Sequence, residues 1–197
     1  MSSTLKDTGL DAGKDPFPIG GMEYTATDTK KFYRCYADGV WTWEQSGGGA
    51  GPRQSSLANV GNVGTGEDDL ISLTLPANTL NAAGTGVKIT AWGVTAANVN
   101  SKILRIRFGG QVVFAYAMPT SVSVAWRVEV LVFRTGSNTQ ESIAHMVGIH
   151  GVVSINDVES QSSLTVVDTS AIIVKGTGDA TADNDIQQEG MLMEPFA

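Results

Sequence analysis

At 197 residues, 42% of them hydrophobic and 17% charged, the chain has the balance of one ordinary soluble domain with an appendage, which excludes disordered and fibrous classes. The net charge of −7 is uneven: residues 1–56 hold six Lys/Arg against seven Asp/Glu, and residues 57–197 hold seven against thirteen. An acidic surface whose one local basic pair is Arg105 and Arg107 argues against nucleic acid, because phosphate affinity is carried by Lys and Arg. Cys35 is the single cysteine, so an intrachain disulfide is excluded. No apolar run approaches the roughly 20 residues of a spanning helix, and the basic-then-apolar pattern of a signal peptide is missing. Synthesis in a reducing cytoplasm with no membrane step is therefore expected.

Residues 1–21 mix Asp, Lys, Gly and Pro without apolar periodicity and are expected to form an arm that orders only on contact. Pro16 and Pro18 flank Phe17 and favour an extended backbone there. A hairpin follows, with strands over residues 31–36 and 40–44 joined through Asp38-Gly39, which supplies positive φ at little cost. Seven of the fourteen aromatics lie in the first 43 residues, and five of them are Phe32, Tyr33, Tyr36, Trp41 and Trp43 in this hairpin. A lone two-stranded hairpin is marginal in water, so these five are the candidate partner-binding residues. Residues 46–62 are Gly/Ser-rich and would span about 20–25 Å as a flexible coil. The expected organisation is an N-terminal arm and docking hairpin over residues 1–45, a linker over 46–66, and a β-domain over 67–197.

From Glu67 the chain reads as short strands separated by turn signals. Ile71, Leu73 and Leu75 alternate with Ser72 and Thr74, and Val87, Ile89 and Ala91 with Lys88 and Thr90. Residues 103–108 and 111–118 flank Gly109-Gly110, and Trp126, Val128, Val130 and Val132 form the clearest inward face. Further strands are expected over 141–149, 164–167, 171–175 and 186–193. Even spacing without an amphipathic helix predicts an all-β fold, a β-sandwich. Leu131, Phe133 and Leu192 leave apolar positions outside, where a lone sandwich should be polar, so a homo-oligomer is expected, with a trimer favoured.

The chemistry-bearing residues form no constellation in the sequence. His145 and His150, five apart in one strand, fall on opposite faces and share no metal. No His accompanies a Ser nucleophile, and Cys35 reads as a small packed hydrophobe. Glu67, Asp68 and Asp69 are adjacent, unlike the paired carboxylates across a cleft that glycoside hydrolysis requires. Asp179, Asp183, Asn184 and Asp185 fall in a loop with oxygen ligands fit for Ca²⁺, but out of register with an EF-hand, so an acidic turn is expected. No catalytic, cofactor or metal residue is assigned, and no cofactor is expected. Trp92 and Tyr116 are the candidates for stacking on a glycan.

The stretches Gly64-Thr65-Gly66-Glu67-Asp68-Asp69-Leu70, Leu73-Thr74-Leu75-Pro76-Ala77-Asn78-Thr79-Leu80 and Gly86-Val87-Lys88-Ile89-Thr90-Ala91-Trp92-Gly93 resemble a jelly-roll domain of tailed-bacteriophage virion proteins. Thr95-Ala96-Ala97-Asn98 and the closing Asn184-Asp185-Ile186-Gln187-Gln188-Glu189-Gly190-Met191-Leu192 are similar to the same family. The resemblance covers about two-thirds of the chain, from Gly64 onward, and carries no metal or catalytic signature. It implies a jelly-roll-like sandwich in a virion structural protein assembled in the host cytoplasm. Its place there would be as a capsid decoration protein or short head fibre anchored by its N-terminal part. A tail fibre or receptor-binding tip, and a carbohydrate-binding module that takes a host-surface glycan, are the alternatives.

Overall fold

The structure, a computed structural model, describes residues 6–9, 23–26, 32–37, 40–44, 53–151 and 153–196, with side chains from residue 53 onward except 153, 161 and 162. All regular structure among them is β, and the chain divides into two compact units, Met1–Gly49 and Ala50–Ala197.

The first unit is a four-stranded sheet in the order β1 (Lys6–Gly9), β2 (Glu23–Ala26), β3 (Phe32–Ala37), β4 (Val40–Glu44). The expected hairpin is β3–β4, with Tyr33 opposite Trp43 and Cys35 opposite Trp41. Two expectations change. Lys6–Gly9, read as part of a loop, is a strand that pairs in parallel with β2. The sequence Lys-Asp-Thr-Gly has no apolar alternation to announce a strand, and main-chain pairing overrides side-chain preference. Nor is the hairpin two-stranded, because β2 pairs antiparallel along β3. Pro16, Phe17, Pro18, the Asp38-Gly39 turn and the glycine tract at 46–52 lie outside the described residues.

The second unit is the expected sandwich. One sheet has the order β10 (Gln111–Ala117), β9 (Ile103–Phe108), β14 (Ile172–Ala180), β7 (Gly66–Leu75). The other runs β13 (Val153–Leu164), β12 (Thr139–His150), β11 (Ala125–Gly136), β8 (Gly86–Thr95), β15 (Ile186–Phe196), β5 (Gln54–Ser56), with β6 (Val60–Gly61) also on β15. The late strands return to the early ones: β14 inserts between β7 and β9 while β15 lies along β8, the interleaving of a jelly roll. Trp126, Val128, Val130 and Val132 point inward as expected and join Ile89, Phe108, Phe114, Met146, Met191 and Met193 in a core closed to solvent. Burial of such side chains contributes about 1.5–3 kcal/mol each before ordering costs.

Within the expected linker over 46–66, two short segments are strands of this sandwich: β5 sets Gln54–Ser56 against Met193–Met191, and β6 sets Val60 and Gly61 opposite Gln188 and Gln187. The attraction is again main-chain, reinforced by Asn62, whose fully buried amide binds the Ala182 carbonyl at 2.8 Å and the Ile186 amide at 2.9 Å. The strand expected at 164–167 is a different kind of structure. Its apolar alternation is present, but its main-chain groups are held by side-chain amides. Gln140 donates to the Val166 carbonyl at 2.9 Å and accepts from its N–H at 3.0 Å, and Gln111 donates to the Thr165 carbonyl at 2.8 Å.

Both long seams of the sandwich are latched by side chains reaching from one sheet to the main chain of the other. On one seam, Gln54 of β5 donates to the Thr74 carbonyl of β7 at 2.6 Å, and buried Gln188 of β15 accepts from the Ile71 N–H at 3.3 Å. On the other, Glu159 of edge strand β13 accepts the Ala115 N–H of edge strand β10 at 3.0 Å. Inward-facing charge on an edge strand also discourages pairing with a foreign strand. Glu159→Ala is expected to lower the unfolding free energy by about 1–2 kcal/mol in urea titrations and to speed exchange of the Ala115 amide, which loses its acceptor.

Candidate interaction surface

The two outer faces of the sandwich are finished differently, and the difference is the strongest functional signal in the unit. The face of the four-stranded sheet carries Arg105 and Arg107 on β9, Lys175, Thr177 and Asp179 on β14, and Glu67 and Asp69 on β7. Arg107 grips Glu67 through two hydrogen bonds of 2.8 and 2.9 Å, Arg105 meets Asp179 at 3.2 Å and Glu67 at 3.3 Å, and Lys175 meets Asp69 at 2.6 Å. Burial pushes the Glu67 carboxyl up, but the Thr177 hydroxyl at 2.6 Å and the Arg107 and Arg105 guanidinium groups outweigh it and hold its pKa below the ordinary value. The basic pair therefore belongs to an ionic lattice in which each cation has a carboxylate partner. One large aliphatic, Ile173 on β14, stands 46% exposed beside these ion pairs, so the face is mainly polar.

The outer face of the larger sheet follows from its strand register. Across β13, β12 and β11 its rows read Ser154–Ile149–Ala125, Asn156–Val147–Arg127, Val158–His145–Glu129 and Ser160–Ile143–Leu131. Ile143 is 45% exposed, Val147 40%, Ile149 61% and Val158 61%. Four β-branched aliphatics on two neighbouring strands thus form one apolar stripe in solvent. Polar groups punctuate it: His145 Nε2 meets Asn156 Oδ1 at 2.7 Å, and Arg127 pairs with Glu129 on its own strand. Arg127, Glu129, His145 and Val147 line a depression of about 220 Å³.

Towards β8 and β15 the same face covers itself. Trp92 lies against Gly190 of the neighbouring strand, so close that a Cβ there would come within 2.1 Å of the ring. Phe133 and Phe196 meet edge to face with centroids 5.4 Å apart. The apolar positions expected outside, Leu131, Phe133 and Leu192, do lie on this face and are half-buried, Phe133 against Phe196, while Met191 and Met193 are core. The open stripe on β12 and β13 was missed. Residues 141–149 carry apolar or small side chains at both odd and even positions, so the sequence does not say which set faces out, and β13 itself was not expected.

The remaining candidates disperse. Phe32, Tyr33 and Tyr36 lie on β3 and Trp41 and Trp43 on β4. Tyr116 packs on the core side opposite Leu104. His145 is on the outer face, an odd number of residues from His150, as expected. Asp179 goes to Arg105, Asp183 accepts the Gly64 N–H at 2.6 Å, and Asp68 accepts the Val63 N–H at 2.9 Å. Asp185 is closed to solvent and accepts from the side-chain amides of Asn98 at 2.5 Å and Asn100 at 2.9 Å, and from the Ala182 N–H at 2.9 Å. No group of three or more His, Cys, Asp or Glu among the described residues converges on a metal position. A scan against protein-family models and a search of curated proteins return no match to this chain.

The loop that Asp185 holds is clamped from beneath as well. Lys102, only 1% exposed, donates from Nζ to the carbonyls of Asn98 at 3.1 Å and Asn100 at 3.0 Å. A buried lysine and a buried aspartate therefore grip the same two residues, Asn98 and Asn100, one through their carbonyls and the other through their side chains. Between the two gripped asparagines, Val99 stands 80% exposed.

Proposed function

We propose that this chain is a non-enzymatic structural protein of a tailed-phage virion, with the Met1–Gly49 unit as its dock and the Ala50–Ala197 sandwich displayed on the capsid as a decoration protein or short head fibre. The observation that carries the reading is the division into two units that differ in kind, an aromatic small sheet and an acidic sandwich. The virion setting rests on the resemblance of the segments from Gly64 onward. In the small sheet β3 lies between β2 and β4, whereas β4 has one strand neighbour among the described residues. The docking role therefore falls first on Trp41 and Trp43, the aromatics of the strand with one described neighbour, and next on Phe32, Tyr33 and Tyr36. Burying one such side chain contributes on the order of 1.5–3 kcal/mol before ordering costs.

A chain beginning at Ala50 is expected to remain folded and soluble and to lose co-sedimentation with particles, while Trp41→Ala with Trp43→Ala in the full chain weakens it. Retention of particle binding by the truncated chain would transfer docking to the sandwich. One observation favours a second reading, a tail-fibre or receptor-binding tip: the clamped loop that presents Val99 costs little ordering entropy on binding. Cryo-EM localisation separates the two, since copies confined to the tail would remove the capsid reading.

A further inference from the structure

We infer that the outer face of β11–β13 packs against the same face of a second copy, around a twofold axis that runs across the strands between the Arg127 row and the Glu129 row. This stands independently of the docking reading.

The occupant follows from the charges and the register. The chain carries −7, so most surface patches of two copies repel. Rows one to four of this face hold one cation, Arg127, and one anion, Glu129, in adjacent rows of β11. Turning a copy about the proposed axis reverses the row order and leaves each strand over its own counterpart. Arg127 then faces Glu129 of the second copy, and Glu129 faces its Arg127. The same rotation sets Ile149 against Ile143 and Ala125 against Leu131, apolar on apolar, and places Val147 over His145 and Val158 over Asn156. Strands of the two faces run aligned, the geometry in which sheets pack about 10 Å apart. A foreign strand added at the edge is the rival mode, but β13 turns Asp157 and Glu159 inward and spends Glu159 on Ala115. The outer face of the four-stranded sheet is less suited, since it offers one exposed large aliphatic, Ile173, among its ion pairs, against four on β12 and β13. Isologous contact of this kind closes at two copies, which departs from the trimer favoured by the sequence.

Sedimentation velocity and light scattering of the full chain test this, with no particle present, so the result is separate from docking. The expected species is a dimer of twice the 20.7 kDa chain mass that dissociates on dilution. Ile149→Asp is expected to give a monomer. Arg127→Glu, which sets two carboxylates face to face, weakens the dimer by about tenfold, and adding Glu129→Arg restores it, because the exchanged pair is complementary again. Unchanged thermal unfolding of the variants as monomers shows that the fold is intact. A full chain that stays monomeric at every concentration overturns the inference. So does an oligomer indifferent to Ile149→Asp, or one that Arg127→Glu weakens but Glu129→Arg does not rescue.

Discussion

Asp185→Ala is expected to lower the unfolding free energy by about 3–5 kcal/mol, among the largest effects of any single polar substitution in the sandwich. The carboxylate is closed to solvent and accepts from Asn98, Asn100 and the main chain of residue 182, so its removal strands several buried donors at once. The 96–102 loop then loses one of its two clamps, and exchange of its amides should rise with the loss of stability. Burial alone would raise the Asp185 pKa, but hydrogen bonds from Asn98, Asn100 and the Ala182 and Thr181 amides outweigh it and lower the value.

The sign of the pH dependence follows. With a folded pKa below the unfolded one, the stabilisation is fully present above the ordinary carboxylate value of about 4 and is lost as pH falls through the depressed folded value. Glu67, shifted in the same direction, adds to the same acid limb. Thermal unfolding followed from pH 7 down into this range should show it, and Asp185→Asn should flatten it, because a neutral amide titrates nowhere. An acid limb of undiminished slope in Asp185→Asn would assign it to other carboxylates.

Gly93→Ala is expected to cost about 3 kcal/mol, a large penalty for one methyl group. Gly93 pairs with Trp126 across β8 and β11, and a Cβ would come within 2.0 Å of the Gln187 carbonyl oxygen and 2.8 Å of the Trp126 ring. A main-chain oxygen in the central part of a sheet has little freedom to retreat. Trp126 covers Gly93 on the core side as Trp92 covers Gly190 on the outer side, so in each case an indole fills the space that a neighbouring side chain would take. Gly110→Ala is the control. That position has φ +86° and nothing within 4 Å, so it carries only the backbone cost of about 1 kcal/mol. Urea unfolding of the two variants should separate collision from strain, and equal losses would remove the packing explanation.

Much of the β-domain was legible because its central strands bury one face. β9 and β11 alternate so cleanly that Ile103–Phe108 and the inward set from Trp126 to Val132 could be read directly. β13 could not. It is an edge strand whose outer side carries Ser154, Asn156 and Ser160 and whose inner side carries Asp157 and Glu159, so no apolar period marks its twelve residues. β5 and β6 are equally silent, because they attach through main-chain bonds to β15. The apolar stripe was illegible for the opposite reason: β12 offers Ile143, Val147 and Ile149 on one side and Ala144, Met146 and Gly148 on the other, and alternation cannot choose between two acceptable inner faces.

By itself the sequence determined the all-β class, the inward faces of the central strands and the aromatic character of the N-terminal hairpin, since these follow from side-chain period and turn chemistry within a few residues. Tertiary structure alone decided that Glu67 meets Arg107, that Asp185 and Lys102 grip one loop, and that Ile143, Val147, Ile149 and Val158 share an open face. Each of these joins residues on different strands or loops, and their juxtaposition depends on pairing register and on which strand ends at an edge, neither of which is written in local periodicity.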